Sequence, residues 1–197
     1  GSTVRYFVEE LGRRVATENL TLVGVTTSDR TADLAERLNI PLRSVDQVDH
    51  IDLTVDGADA VDDNLNGIKG GGAALLYEKI VAKNSNKNIW IVDRSKMKPL
   101  GGTKLPVEVI QYGAMQLLKF FKEKQLNPVL RVNEAGETVV TDNGNYIIDL
   151  WIDPIDDPYA LSDWLSKQTG VVEHGLFLDV ADEVWIGGDT IEKRYRK

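Results

Sequence analysis

Apolar and polar positions along this chain repeat with two periods, and the period switches often. Val4, Phe7, Val8, Leu11 and Val15 recur at steps of three and four, which predicts a helix from the first residues with Thr3 or Ser2 as its cap. Leu20 to Val25 is an apolar-rich run ending in Thr26-Thr27-Ser28 and predicts a buried strand. A helix of about ten residues follows, with Leu34 and Leu38 facing the core and Asn39 and Pro41 closing it. After a short segment at Leu42 to Val45, the residues Ile51, Leu53 and Val55 alternate with Asp52 and Thr54, so a strand is expected that stops at Gly57. A helix carrying Glu78 comes next, then a strand at Ile89 to Val92 that ends in Asp93-Arg94-Ser95-Lys96.

Strand and helix alternate through this half, which specifies an α/β fold: a doubly wound, mostly parallel, Rossmann-like sheet. Open sheets of this kind gather ligands beyond the carboxyl ends of their strands, so Thr26 to Ser28, Asp56 to Asp59 and Lys96 are expected to converge. After Pro106 the texture changes. A helix from Tyr112 to Lys124 is followed by strands at Val129 to Val132, Glu137 to Thr141 and Tyr146 to Ile152, with Asp142-Asn143-Gly144 as a hairpin signal. A helix at Tyr159 to Lys167 and a strand at Val171 to Leu178 complete a smaller α+β split-βαβ layer. The last strand, Val184 to Gly187, is expected to return to the first sheet. The division that follows is 1–107 with 183–197 as the Rossmann-like domain and 108–182 as the small α+β domain.

Composition narrows the function classes. At 197 residues, 42% hydrophobic and 27% charged, the chain has enough apolar matter for one core plus a satellite domain. A net charge of −8 argues against a general nucleic-acid or anionic-membrane surface, so any phosphate must be held locally. With no cysteine, disulfides and thiolate chemistry are excluded, and with two histidines a metal centre is not expected. A cytoplasmic setting is the corresponding expectation.

The densest chemistry lies between Asp56 and Glu78. Asp56-Gly57-Ala58-Asp59 sits at the carboxyl end of the Ile51 strand, and Lys69-Gly70-Gly71-Gly72 opens into the next helix. Three glycines strip side chains from that loop, so backbone N–H groups can close on an anionic or hydroxyl-rich ligand. Glu78 has Ala74, Leu75, Val81 and Ala82 as its neighbours at three and four residues, hence no basic partner on its own helix face. Lys79 and Lys83 mark a different face as the solvated one. A carboxylate in apolar surroundings has a raised pKa and suits proton abstraction near neutrality.

Other motifs carry less. Asp62-Asp63-Asn64-Leu65-Asn66-Gly67 fits half of a calcium loop, but Ala73 stands at its twelfth position where a glutamate is required. The triple glycine lacks the third, helix-packing glycine of a dinucleotide fingerprint. His50 and His174 have no ligand-type neighbour and read as surface or hydrogen-bonded residues. Phe120-Phe121 and the four tryptophans read as core or interface, and Lys119, Lys122 and Lys124 as a solvated helix face.

Taken with Leu105-Pro106-Val107-Glu108-Val109, Val140-Thr141-Asp142-Asn143-Gly144-Asn145 and Gly175-Leu176-Phe177, these motifs make the sequence similar to ribose-5-phosphate isomerase type A over nearly its whole length. The resemblance implies interconversion of ribose 5-phosphate and ribulose 5-phosphate in the non-oxidative pentose phosphate pathway, with no metal or cofactor, and assembly as at least a homodimer. It implies Glu78 as the base between C1 and C2, Asp56 in ring opening, Asp59 and Lys69 on the reacting oxygens and Lys96 on the substrate. Gly57, Ala58, Gly70, Gly71 and Gly72 would line the sugar, and the small domain would be a lid. Gly1-Ser2-Thr3 resembles the latter half of a Gly-Thr-Gly-Ser-Thr phosphate loop, so roughly twenty to thirty further residues, one helix and one strand, are expected ahead of it in the natural protein. Ala60 stands where the family often has a glutamate. The alternative is a sugar-phosphate sensor domain of the same fold that binds without reacting.

Overall fold

The alternation of periods produces a parallel sheet joined to an antiparallel one, seen in a computed structural model that describes residues 2–197. Helix α1 (Ser2–Glu18) packs on α2 (Asp29–Arg37) through Val4, Val8, Leu11, Leu34 and Ala35. Helix α2 has a side-chain cap: Ser28 Oγ accepts from the Thr31 N–H. Strand β1 (Thr54–Asp56) comes next, then the hairpin β2 (Ala60–Val61) and β3 (Gly67–Ile68), helix α3 (Leu75–Lys83) and strand β4 (Asn88–Asp93). Strand β5 (Thr103–Val109), α4 (Ala114–Glu123), β6 (Pro128–Leu130), β7 (Tyr146–Ile152), α5 (Pro158–Ser166) and β8 (Val171–His174) form the antiparallel unit. Strands β9 (Leu176–Phe177), β10 (Glu183–Gly187) and β11 (Glu192–Tyr195) end the chain.

The three sheets have the orders β1-β4-β10-β11, β2-β3-β9 and β6-β7-β5-β8. In the first, β1 and β10 flank β4 in parallel, so β10 does return across the chain, and β11 adds an antiparallel edge that the sequence pattern did not predict. In the third, the four strands take the spatial order of a split βαβ unit, with β5 central between β7 and β8. The boundary at 107/108 therefore falls inside β5. Trp90, Phe177, Val184 and Ile186 build the core under the parallel sheet. Phe121, Leu105, Ile148 and Leu165 build that of the antiparallel unit, where Phe120 stacks on Trp164.

Several expected elements take another form. Leu20 to Val25 is extended but makes no ladder: Gly24 bridges only Leu42, and Leu20 and Val23 are exposed. Between this segment and β1 lies a cleft of about 1170 Å³, and among the described residues no strand pairs with the segment on that side. Ile51 likewise bridges only Ser85, and regular pairing starts at Thr54. Glu137 to Thr141 contributes single bridges, Val132 to Thr138 and Val140 to Tyr146, around a turn that Glu108 ties down. Glu108 Oε1 accepts from Thr141, Asn143 and Asn145 side chains. Thr3 is not a cap, because α1 already begins at Ser2.

The expected strand at Val171 to Leu178 is cut in two at Gly175, and its halves enter different sheets. The Gly175 N–H donates to Pro106 O at 2.7 Å while its carbonyl accepts from the Lys69 N–H at 2.9 Å. A Cβ at this position would stand 2.3 Å from Lys69 O, a contact no side chain can occupy, so the crossing of β5, β9 and the Lys69 loop requires glycine. Gly175→Ala is expected to cost at least ~2 kcal/mol of stability, since backbone rather than a flexible side chain must yield. A urea midpoint within error of the parent would refute that crossing.

Lys79 corrects a second expectation, for it is not on a solvated face. Only 5% exposed, it donates to Glu173 Oε1 and His174 O, each at 2.6 Å, and its ammonium lies 4.8 Å from the Phe177 ring centroid. Burial, opposed by Glu173, lowers its pKa, and burial beside Lys79 takes His174 down to about 4. His174 is therefore neutral, its Nε2 shared between the Ser162 and Ser166 hydroxyls. Because the folded value lies below the free one of about 6.5, the unfolded chain binds this proton first. Its contribution is whole above pH 6.5 and is lost as pH falls toward 4. His174→Gln is expected to be less stable than the parent at pH 7, with the gap narrowing by about 2 to 3 kcal/mol down to pH 4 in urea titrations. A gap that stays constant would mean His174 does not titrate this way.

Candidate active site

Strand β1 delivers Asp56 to its carboxyl end, where the parallel sheet opens. Asp56 Oδ1 accepts from the Gly57 N–H at 2.7 Å, and Oδ2 accepts from Lys69 Nζ at 2.8 Å. Lys69 leaves β3 pointing back across the hairpin and is 3% exposed, its second hydrogen bond going to Gly57 O at 2.5 Å. From the other side, the first turn of α3 brings Glu78 Oε2 to 3.2 Å from the same ammonium. The sequence shows no basic partner on the Glu78 helix face, and none is there. Lys69 reaches it from the preceding loop instead.

One ammonium thus faces two carboxylates, and they do not share it equally. Asp56 has the aligned hydrogen bonds. Glu78 Oε2 is buried within ion-pair distance of Lys69 but makes no hydrogen bond among the described residues. Burial raises the Glu78 pKa, with Asp56 adding to the rise and Lys69 opposing it. For Lys69 the balance is reversed: burial disfavours its charge, but the attraction of Asp56 and Glu78 is larger, and the pKa is raised. The arrangement keeps a permanent cation beside a glutamate that can take up a proton.

The glycine loop closes the pocket. Asp59 Oδ2 accepts from the Gly71 N–H at 2.7 Å, and a Cβ on Gly71 would meet Asp59 Oδ1 at 2.7 Å, so a side chain here would displace the Asp59 carboxylate. Asp56, Gly57, Ala58, Asp59, Lys69, Gly70, Gly71, Gly72, Glu78 and Lys96 line one small pocket of about 130 Å³ together with Thr3. Thr3 lies in the first turn of α1, whose N–H groups are not consumed by the helix, and Lys96 ends the 3-10 turn after β4. Gly1 lies outside the described residues. Ser2 belongs to the α1 backbone rather than to a loop. Thr26, Thr27 and Ser28 line the larger cleft, which meets the pocket at Asp56, Gly72 and Glu78. Among the described residues no cluster of acidic or histidine side chains suited to a metal occurs, and no helix is long and apolar enough to cross a membrane.

Arg131 escaped sequence reasoning. It is 8% exposed, and its guanidinium pairs with Asp149 on the neighbouring strand while Nη1 donates to Gly70 O at 2.9 Å and Gly71 O at 3.2 Å. The signal available was one charge of opposite sign within each of two apolar runs, Val129-Leu130-Arg131-Val132 and Ile147-Ile148-Asp149-Leu150. Strand register was needed to bring them together: Asp149 pairs with Val129, which places Arg131 on the same face two residues along.

Comparison with known proteins agrees with this geometry. Residues 23–190 match the family model of ribose 5-phosphate isomerase A (phosphoriboisomerase A). The ribose-5-phosphate isomerase A of Enterococcus faecalis is 55% identical over 188 residues, 95% of this chain and 83% of that protein. Its counterpart in Bifidobacterium adolescentis is 57% identical over 188 residues, covering 95% and 81%. Among solved structures, a D-ribose-5-phosphate isomerase in complex with phospho-erythronic acid superposes with a TM-score of 0.95 at 39% identity, over all of this chain and 88% of that one. The ribose 5-phosphate isomerase A of Methanocaldococcus jannaschii superposes at 0.93 with 36% identity, over 99% and 88%. A site built from Asp56, Lys69 and Glu78 on this fold, with relatives this close over nearly the whole chain, makes the protein a member of the ribose 5-phosphate isomerase A family.

Proposed function

We propose that the chain interconverts ribose 5-phosphate and ribulose 5-phosphate by moving one proton between C1 and C2 through an enediolate. The observation that carries this reading is the buried Glu78 carboxylate, raised in pKa and with one oxygen unbonded, 3.2 Å from the ammonium of Lys69. Glu78 takes the proton from C2 of the open-chain aldose as the electron pair moves to the C1 oxygen, the hydroxyl proton of the C2 oxygen passes to the C1 oxygen, and Glu78 returns its proton to C1 as the C2 oxygen becomes the carbonyl. Lys69 and Asp59 face the two reacting oxygens, where a fixed cation in a dry site stabilises developing charge far better than water does. Asp56 assists opening of the sugar ring. Gly57, Ala58 and the Gly70-Gly71-Gly72 backbone line the sugar. Lys96 and Thr3, with Ser2 and Gly1 that precede it in the sequence, take the phosphate, for which a helix amino terminus and one lysine suffice.

No metal or cofactor is called for, because the proton transfer needs only a carboxylate and a cation. The reading places the protein in the cytoplasm, in the non-oxidative pentose phosphate pathway, as a homodimer or higher homo-oligomer without nucleic-acid or membrane partners. A non-reacting sensor is not favoured, since a binding pocket has no use for a carboxylate held unbonded beside a buried cation.

Glu78→Gln keeps the shape and removes the base, so kcat is expected to fall at least ~100-fold with KM little changed, as measured by ketopentose formation from ribose 5-phosphate. In the parent, the acid limb of kcat/KM should lie above the ordinary glutamate range, because Glu78 works deprotonated and its pKa is raised. Turnover within tenfold of the parent in the glutamine variant would sink the mechanism. Lys69→Met is expected to lower kcat by at least ~100-fold as well, since it removes the charge beside the enediolate. An effect confined to KM would assign Lys69 to binding alone.

A further inference from the structure

We infer that Arg131, clamped by Asp149, is a positioning residue for the active site: it sets the direction of the Gly70-Gly71-Gly72 peptides from the antiparallel sheet. The inference rests on the isomerase reading and extends it to a residue outside the pocket. In a trans peptide the C=O and the following N–H point in opposite directions. Arg131 Nη1 draws the Gly70 carbonyl to 2.9 Å and the Gly71 carbonyl to 3.2 Å. The Gly71 N–H must then point away from Arg131, and it does, meeting Asp59 Oδ2 at 2.7 Å. By the same geometry the Gly72 N–H points away from the guanidinium on the pocket side, and among the described residues it has no partner. One guanidinium thereby fixes both the orientation of Asp59 and the availability of a backbone donor to the ligand.

The chemistry requires arginine. Its fork gives Nε and Nη2 to the two Asp149 oxygens while Nη1 remains for the carbonyls, a division that a lysine, with a single ammonium, cannot reproduce. Asp149 is itself buried, with Lys104 at 3.9 Å as its next cation, so the guanidinium has one principal partner and one orientation. Glycine is the residue least able to hold its own peptide planes, and three in succession leave the loop dependent on an outside anchor.

The test is the kinetics of ribose 5-phosphate isomerisation by Arg131→Lys, by Asp59→Ala and by the double variant, with thermal unfolding followed alongside. Arg131→Lys keeps the charge beside Asp149, and its kcat is expected to fall about tenfold while the protein unfolds cooperatively. If Arg131 acts through the Gly71 N–H and Asp59, the same substitution in the Asp59→Ala background should cost less than about threefold. An equal factor in both backgrounds, or a parental kcat in Arg131→Lys, would overturn the inference. Should Arg131→Lys not fold, the unmodified chain still decides: on saturation with ribose 5-phosphate the Gly72 amide resonance is expected to move more than that of Gly71, which is already committed to Asp59. A Gly72 amide that stays in place overturns the inference. A parent chain that neither binds nor converts ribose 5-phosphate defeats the isomerase reading instead.

Discussion

Everything in the site depends on a single ammonium buried between two carboxylates. Lys69 could not remain charged in the interior without Asp56 and Glu78, and Glu78 would be more easily protonated without Lys69. The competition is settled by geometry. Asp56 and the Gly57 carbonyl take the well-aligned donors, so Glu78 keeps its Coulomb attraction to the cation but lacks the hydrogen bond that would pin it as a permanent anion. A base must be charged enough to accept a proton and unsatisfied enough to want one. The fold brings Asp56 from a strand end, Lys69 from a hairpin and Glu78 from a helix start to one point, the arrangement that the proposed proton transfer calls for.

Local pattern was a good guide wherever one element was enough to fix the outcome. The helices at Ala114–Glu123 and Pro158–Ser166, the strand at Asn88–Asp93 and the cluster of Asp56, Asp59, Lys69 and Glu78 were legible because periodicity, glycine placement and residue chemistry act over a few positions. The failures mostly involve a partner distant in sequence. Leu20 to Val25 has the composition of a strand, but among the described residues it pairs with nothing along the large cleft, and composition does not report pairing. Val171 to Leu178 reads as one strand, yet the approach of Lys69 and Pro106 at Gly175 sends its halves to different sheets.

Charged residues show the same limit. Lys79 has the spacing of a solvated face, and only the arrival of Glu173 and the His174 carbonyl from β8 explains why it is inside. Arg131 and Asp149 are each an isolated charge in an apolar run, which on its own argues against a strand interior. Paired, they become affordable, because a forked guanidinium satisfies a buried carboxylate almost completely. Helix α1 had the right stripe, but its start one residue before Thr3 turns a supposed cap into part of an exposed first turn.

The antiparallel unit, expected as a lid, is fastened to the Lys69-Gly70-Gly71 segment at two places. The Lys69 N–H donates to the Gly175 carbonyl, and Arg131 donates to the carbonyls of Gly70 and Gly71. Swinging the whole unit away from the pocket would break these bonds and leave the charged pair of Arg131 and Asp149 without its outer partners, at the cost that attends unpaired buried groups. Through these bonds the sheet holds the glycine loop in place. A reaction that consists of one proton moved between adjacent carbons gains most from such a frame, because its base and donors must hold their places through two transfers. The hydrogen bonds that orient the loop come from outside its own sequence, from Asp59 and Arg131, where three glycines have no side chains to make them.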